Sequence, residues 1–190
     1  MKNKGLLIIL SAPSGAGKST VVQELMRQRE NLRFSVSATT RKPRIGEIDG
    51  KDYYFVSREK FEEMIANDEF LEYAQYVENF YGTPRKALEE QLEAGYDVIL
   101  DIETQGAFQV KGKCPDALMI FLMPPDFEEL ERRLIGRGKD ALDVIRNRLE
   151  VAKHECSLAD KYDYIIVNDS VERAAEEFSA TVEKEKTKRN

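Results

Sequence analysis

The run Leu6-Leu7-Ile8-Ile9-Leu10 passes directly into Ser11-Ala12-Pro13-Ser14-Gly15-Ala16-Gly17-Lys18-Ser19-Thr20, and nothing else constrains the chain as tightly. An apolar strand, a Gly-rich turn and a polar-started amphipathic segment follow one another. In such a turn, backbone N–H groups converge into a cradle for phosphate oxygens, and the new helix adds the positive end of its dipole. Lys18 is placed to neutralise β- and γ-phosphate charge, and the Ser19 hydroxyl to ligate Mg²⁺. Ser14, Gly15, Ala16, Gly17 and Thr20 complete the candidate cradle. The pattern G-x-x-x-x-G-K-[ST] is met except at its first position, where Ala12 stands. Ala12 must then sit at negative φ, because an alanine at positive φ is costly.

Beyond the loop, apolar strands alternate with helical patterns. Val21, Val22, Leu25 and Met26 recur at helical spacing, and that helix is expected to end near Glu30-Asn31. Thr83 is expected to cap the next helix with Pro84 as its first residue, and Gly95 to end it. Strands are expected at 96–101, 117–123 and 164–167. A short helix is read around 107–113. A further helix from Asp126 to Ile135 opens on Asp126 and Glu129, which resemble a capping box. It is broken by Gly136-Arg137-Gly138 and followed by a helical pattern from Ala141 to about Ala159. The tail pattern carries Val171, Ala174, Ala175, Phe178 and Val182, and its charged end, 183–189, is expected to fray. This alternation implies a parallel α/β sheet with helices on both faces, and ligands at the C-terminal strand ends. Ser11, Asp101, Pro124 and Asn168 lie at such ends.

Residues 33–83 have a different texture: short alternating segments at 33–37, 53–56 and 71–77, interrupted by one helix near 58–67. They read as a small mixed or antiparallel sheet inserted into the main domain. Within this block Arg41 and Arg44 flank Pro43 in a basic loop. Arg forks suit bidentate phosphate contacts, and a solvated basic turn is the competing reading. Asp101, after four apolar strand residues, occupies the point where phosphate-loop enzymes hold the magnesium shell. Arg133, Arg137 and Arg148 flank the Gly136–Gly138 break, as surface charge or as the cations of a closing lid.

Composition closes off other classes. A chain of 190 residues with 42% hydrophobic residues suits one domain with a real core. A net charge of −6 argues against bulk binding of nucleic acid or anionic membrane. Cys114 and Cys156 are too few for a disulfide framework, and the single histidine, His154, sits in a helical pattern with no partner for a catalytic triad. No targeting segment or membrane-length apolar run is visible, so a cytoplasmic location is the expectation. Oligomeric state is left open.

Taken together, these segments resemble the guanylate kinase family over almost the whole chain. The residues that carry the resemblance are Ser11–Ser19, Ser35–Glu47 with its Thr-Thr-Arg-Lys-Pro-Arg loop, Gly50–Phe55, Phe70–Ala74 and Tyr81-Gly82-Thr83. Leu100–Gly106, Arg133–Gly138 and Val167-Asn168-Asp169 extend it. Ala12 stands in place of the usual Gly, Glu103 in place of Asp, and Thr104 where a larger apolar residue is common.

The resemblance implies a P-loop NTPase three-layer sandwich with a parallel sheet core, an inserted small mixed α/β nucleotide-monophosphate-binding subdomain and a helical lid. It implies a core at 1–33, 84–125 and 156–190, a GMP-binding subdomain at 34–83, and a lid at 126–155. The implied reaction is ATP-dependent phosphorylation of GMP, and of dGMP, with Mg²⁺ as cofactor. Arg41, Arg44, Tyr53 and Tyr81 would hold the GMP phosphate, and Ser37, Glu72, Thr83 and Glu103 would read guanine. Asp101 counts among both the GMP-binding and the metal-holding residues, the latter with Ser19. Asn168 would lie near the adenine or ribose of ATP. Lys18, Arg41, Arg133, Arg137 and Arg148 would be the catalytic cations. Two other classes are compatible with a loop of this kind: a non-catalytic scaffold that binds phosphorylated peptides, and a kinase for another small phosphate. The Ser37, Glu72 and Thr83 set disfavours the second, and the intact Gly17-Lys18-Ser19 with the arginines disfavours the first.

Overall fold

The computed structural model describes residues 4–76, 78–136 and 142–189. Alternation along buried strands builds the core. In β1 (Leu7–Ser11), Ile8 and Leu10 enter one hydrophobic cluster while Leu7 and Ile9 enter another. The same split occurs in β7 (Asp97–Asp101) and β8 (Leu118–Met123), so the sheet is apolar on both faces. One face is covered by α1 (Lys18–Gln28) and α7 (Val171–Arg189). The other is covered by α3 (Arg85–Glu93), α4 (Thr104–Lys113) and the turn around Ala159 and Tyr162. With β2 (Leu32–Phe34) and β9 (Tyr164–Val167) the strand order is β2-β7-β1-β8-β9, parallel throughout. Sandwich and parallel sheet are those the sequence pattern implies.

A second, mixed sheet holds β3 (Ala38–Thr39), β4 (Tyr54–Phe55), β5 (Phe70–Tyr76) and β6 (Asn79–Pro84) in the order β4-β3-β6-β5. Its own core is aromatic: Phe61 of α2 (Arg58–Ala66) stacks on Phe70 at 4.4 Å and on Phe80 at 5.4 Å. The segment 33–37 expected in this sheet divides. Leu32–Phe34 pairs with β7 in the larger sheet because Leu32 is fully buried in its core, and only the chain beyond it turns into the smaller one. Of the expected strand 71–77, Val77 lies outside the described residues.

Several boundaries differ for identifiable reasons. The first helix ends at Gln28, before Glu30-Asn31, as Arg29 turns extended and its N–H reaches Leu25 O. Thr83 does not cap α3. Its hydroxyl is committed to Glu72 at 2.7 Å, β6 runs on through Pro84, and Pro84 becomes the N-cap. Gly95 ends α3 as expected, at φ 91, with Gly95 N–H bonded to Leu92 O and Tyr96 N–H to Gln91 O. α4 begins at Thr104, earlier than the short helix expected from 107. α5 (Phe127–Gly136) receives half of the expected capping box. Asp126 Oδ1 accepts Glu129 N–H at 2.6 Å, but the Glu129 carboxylate turns to Arg132 and Arg133 instead. α6 (Leu142–Ser157) stops short of Ala159, where a 3₁₀ turn, Ala159–Lys161, takes over. Arg137, Gly138 and Ala141 lie outside the described residues.

The tail does not fray: α7 is helical to Arg189. Its anchor is Asp97, whose side chain is fully buried. Asp97 Oδ1 accepts Leu6 N–H at 2.9 Å, and Lys186 Nζ lies 3.0 and 2.9 Å from its two oxygens. Asn31 donates to it at 3.2 Å, and Arg29 stands 3.6 Å away. Asp97→Ala would leave these donors without their acceptor. It is expected to cost about 3 kcal/mol, read as a fall in Tm of roughly 10 °C by calorimetry. No helix among the described residues is long and apolar enough to cross a membrane.

Candidate active site

The loop between β1 and α1 has the shape its glycines permit. Gly15 (φ 96) and Gly17 (φ 88) adopt left-handed angles, and Gly17 is the N-cap of α1 with no side-chain cap bond. Gly17 thus offers the first amides of α1 no side-chain acceptor, and Thr20 N–H bonds Gly17 O at 3.1 Å. Among the described residues only Asp68 combines a side chain with positive φ, so Ala12 meets the demand placed on it. A Cβ on Gly17 would fall 2.5 Å from Asn168 Nδ2, and one on Gly15 would fall 2.9 Å from Leu130 of α5. The loop is thus wedged between the end of β9 and α5.

Lys18 opens α1 and forms an ion pair with Asp101 at the end of the neighbouring strand β7. Both side chains are only partly exposed, at 19% and 26%. Ser14, Ser19 and Thr20 are exposed on the rim of the cradle.

From Lys18 and Asp101 a cavity of about 490 Å³ extends between the two sheets, a volume suited to a small ligand. Ser37, Tyr53, Glu72, Tyr81 and Glu103 line it. Glu72 and Thr83 are buried, at 7% and 1% exposure. Burial pushes the Glu72 carboxyl above its ordinary value, opposed by the Thr83 hydroxyl and amide and then by Lys113. A β-bulge creates this pairing. The β5–β6 register shifts between Phe70 and Glu72, so Glu72 falls opposite Thr83 while Leu71 enters the core beneath the larger sheet. Glu103, the N-cap of α4, lies exposed at the cavity wall with no capping bond.

At the other end, Arg41 lies 5.3 Å from the Tyr53 ring and 5.7 Å from that of Phe55, and Tyr53 meets Tyr81 edge-on at 6.1 Å. Burial, with Tyr81 adding to it, pushes the Tyr53 phenol up. Arg44 is exposed on the same loop.

The remaining arginines divide. Arg133 does not line this cavity. Its Nε bonds Glu129 at 2.7 Å, and its Nη atoms reach Ala16 O and Asn168 O, each at 3.2 Å. It lines a second cavity, of about 400 Å³, with Gly15, Gly17, Thr20 and Asn168 on the far side of the loop. Asn168 Nδ2 donates to Ala16 O at 2.7 Å, so Asn168 also braces the loop. Arg148 is half-buried on α6, and Arg137 lies outside the described residues.

Sequence reasoning missed three polar groups here. Gln105 and Gln109, one helical turn apart on α4, face the first cavity. Their i,i+4 spacing just after Asp101 was a usable signal. Glu155 of α6 is half-buried, with Oε2 unpartnered among the described residues. Its carboxyl is pushed up by burial first and by Glu103 next, against the pull of Lys18. No local pattern marks it. Cys114 and Cys156 are free thiols, and burial raises Cys156 to about 11, so it is an unreactive one.

A family model for guanylate kinase matches residues 4–185. The chain belongs to the guanylate kinase family. It is 55% identical over 185 residues to a guanylate kinase of Lactococcus lactis subsp. lactis (strain IL1403), covering 97% of this chain and 90% of that one. A Clostridioides difficile (strain 630) guanylate kinase is 51% identical over 185 residues, with the same coverage. A crystal structure of guanylate kinase from Anaplasma phagocytophilum superposes with a TM-score of 0.76 at 41% identity, covering 97% of this chain and 87% of that one. Shikimate kinase from Bacteroides thetaiotaomicron, at 15% identity and a TM-score of 0.51, shares the fold alone. Family membership carries across the departures at Ala12, Glu103 and Thr104, none of which disturbs the loop or the Glu72–Thr83 pair.

Proposed function

We propose that this chain transfers the γ-phosphoryl group of ATP to GMP, and to dGMP, forming ADP and the corresponding diphosphate. The observation that carries it is one cavity with Lys18 of the phosphate loop at one end and, in its wall, the buried Glu72 that Thr83 bonds from behind. Guanine offers N1–H and N2–H side by side. The Glu72 carboxylate can accept both, and the Ser37 hydroxyl can donate to O6. Adenine has no N1–H, so it would leave Glu72 buried and unpaired.

The three-part organisation accords with the reading. Residues 34–83 would bind GMP, 126–155 would close as a lid, and 1–33, 84–125 and 156–190 would hold ATP. Hinges would lie near residues 33 and 83. Arg41, Arg44, Tyr53 and Tyr81 would hold the monophosphate, whose ionised oxygen attacks the γ-phosphorus in line. That nucleophile is already an anion, so the protein need not supply a general base. Lys18, with Arg137 and Arg148 of the lid, would stabilise the charge on the moving group. Asn168 and Arg133, which border the second cavity, would take the nucleoside end of ATP. Closure would keep water from the γ-phosphate.

The residues present suit Mg²⁺. Ser19 and Asp101 offer hard oxygen donors, and the described residues hold no cluster of three His, Cys, Asp or Glu that would make a protein-only cage. Magnesium in such sites shares its coordination with substrate phosphates and supplies charge neutralisation between them. A cytoplasmic location, where both nucleotides occur, fits this activity.

The test is ADP release measured with ATP and each of GMP, dGMP, AMP, CMP and UMP. GMP is expected to exceed AMP in kcat/KM by roughly 10⁴. Comparable rates with AMP, or none with GMP, would overturn the assignment.

A further inference from the structure

The loop carrying Arg41 and Arg44 also contains an anionic group that the reaction itself does not call for. Glu47 is only partly exposed, at 20%, and faces the Arg41 guanidinium end-on. Arg41 Nη1 donates to Glu47 Oε2 at 2.9 Å and Nη2 to Oε1 at 2.8 Å. A second Nη1 hydrogen goes to Lys42 O at 2.8 Å. Glu47 Oε2 also accepts the backbone N–H of Arg44 at 2.6 Å, and Glu47 N–H returns to Arg44 O at 3.1 Å. One carboxylate therefore fixes the side chain of one arginine and the backbone of the other.

The consequence lies in what is left over. A guanidinium has five N–H donors in a rigid plane. Glu47 and the Lys42 carbonyl take three of Arg41's. The side edge of the fork, Nε with the outer Nη2 hydrogen, carries no bond to Glu47, and the Tyr81 hydroxyl, proposed for the same phosphate, also hydrogen-bonds Arg41. That edge is a second bidentate surface, matched to two oxygens of a phosphate. Tyr53 and Phe55 flank the same guanidinium with their rings and limit its tilt. The Arg41–Glu47 ion pair is thus compatible with a bound monophosphate and need not break to admit one.

We infer that Glu47 is a positioning residue for the monophosphate site: it holds Arg41 by one edge so that the other edge is presented ready-aligned to the substrate phosphate. The inference rests on the proposed assignment of Arg41 to the GMP phosphate. Glu47 touches no reacting atom. It removes the rotamer freedom that Arg41 would otherwise lose on binding, and its charge keeps the bare arginine from drawing in other anions.

The test is steady-state kinetics on Glu47→Gln, Glu47→Asp and Arg41→Gln, and on the Arg41→Gln/Glu47→Gln double variant, with melting curves for each. Glu47→Gln should raise KM for GMP about tenfold, with kcat and KM for ATP within about twofold of the parent chain. Glu47→Asp, which keeps the charge on a shorter arm, should recover part of that loss. In the Arg41→Gln background, Glu47→Gln should add nothing. A fall in KM for GMP would make Glu47 a competing anion instead of a positioning group and would overturn the inference, as would equal effects of Glu47→Gln in both backgrounds. If Arg41→Gln itself leaves KM for GMP unchanged, the assignment of Arg41 fails. If Arg41→Gln raises KM and Glu47→Gln does not, only the positioning role fails. A Glu47→Gln chain that melts well below the parent is judged on Glu47→Asp alone, where an unchanged KM overturns the inference.

Discussion

Lys18→Met lowers kcat by about a thousandfold while GMP binds nearly as before. Methionine keeps the length of the side chain and removes its charge. Lys18 sits at the first position of α1, next to a glycine cap that gives the helix's first amides no side-chain acceptor. It is the one cation of the loop pattern itself, so its loss falls on the transition state, where charge on the transferred group moves. The affinity for GMP should change little, because Ser37, Arg41, Tyr53 and Glu72 remain. Asp101 loses its ion-pair partner but is partly solvated, at 26% exposure. The change in Tm should therefore stay within about 4 °C. Coupled kinetics and equilibrium titration with GMP check the two halves separately. Near-parental turnover would remove Lys18 from the chemistry.

Glu72→Gln has the second large effect, and its two parts have opposite signs. Gln turns one acceptor into a donor that confronts the donor edge of guanine. KM for GMP should rise about a hundredfold and the preference over AMP should shrink. The empty protein, however, should become more stable. Burial holds the Glu72 carboxyl above its unfolded value near 4.5. Ionisation therefore costs the native state stability as pH rises through the raised Glu72 value. Removing that cost should give Glu72→Gln a higher Tm than the parent chain once pH exceeds the raised value. The gain should vanish below about pH 4, where native and unfolded carboxyls are both protonated. Correspondingly, KM for GMP in the parent chain should climb as pH falls through the raised Glu72 value, and Glu72→Gln should lack that limb. Unchanged kinetics with both nucleotides would take Glu72 out of base reading.

What could be read in advance followed from local chemistry. Four apolar runs, at 6–10, 96–101, 117–123 and 164–167, made the parallel sheet legible, and the Gly-rich turn at 11–20 made the phosphate cradle legible. The cavity-lining Ser37, Tyr53, Glu72, Tyr81, Asp101 and Glu103 were legible through resemblance, because motif spacing survives folding. What escaped is non-local. Thr83 looks like a helix cap until Glu72, eleven residues back, claims its hydroxyl. Leu32–Phe34 looks like its neighbours in the smaller sheet until Ile99 accepts Ser35 N–H across the larger one. The charged tail looks like a fraying end because the buried Asp97 that holds Lys186 lies 89 residues away. Arg133, read from its place beside a Gly-rich break as a lid cation, has donors on Ala16 O and Asn168 O, partners that no local pattern marks.

The bulge at Leu71 divides the labour of the pocket mechanically. Leu71 is rooted among Ala107 and Val110 of α4, and Lys113 clamps its carbonyl at 2.6 Å, so the adjoining Glu72 is effectively bolted to the larger sheet's scaffold. Arg41 and Tyr53 instead hang at the opposite rim of the smaller sheet, beyond β3 and β4. The wall that carries Glu72 is thus moored to the larger sheet, while the rim that carries Arg41 and Tyr53 lies at the far edge of the smaller one.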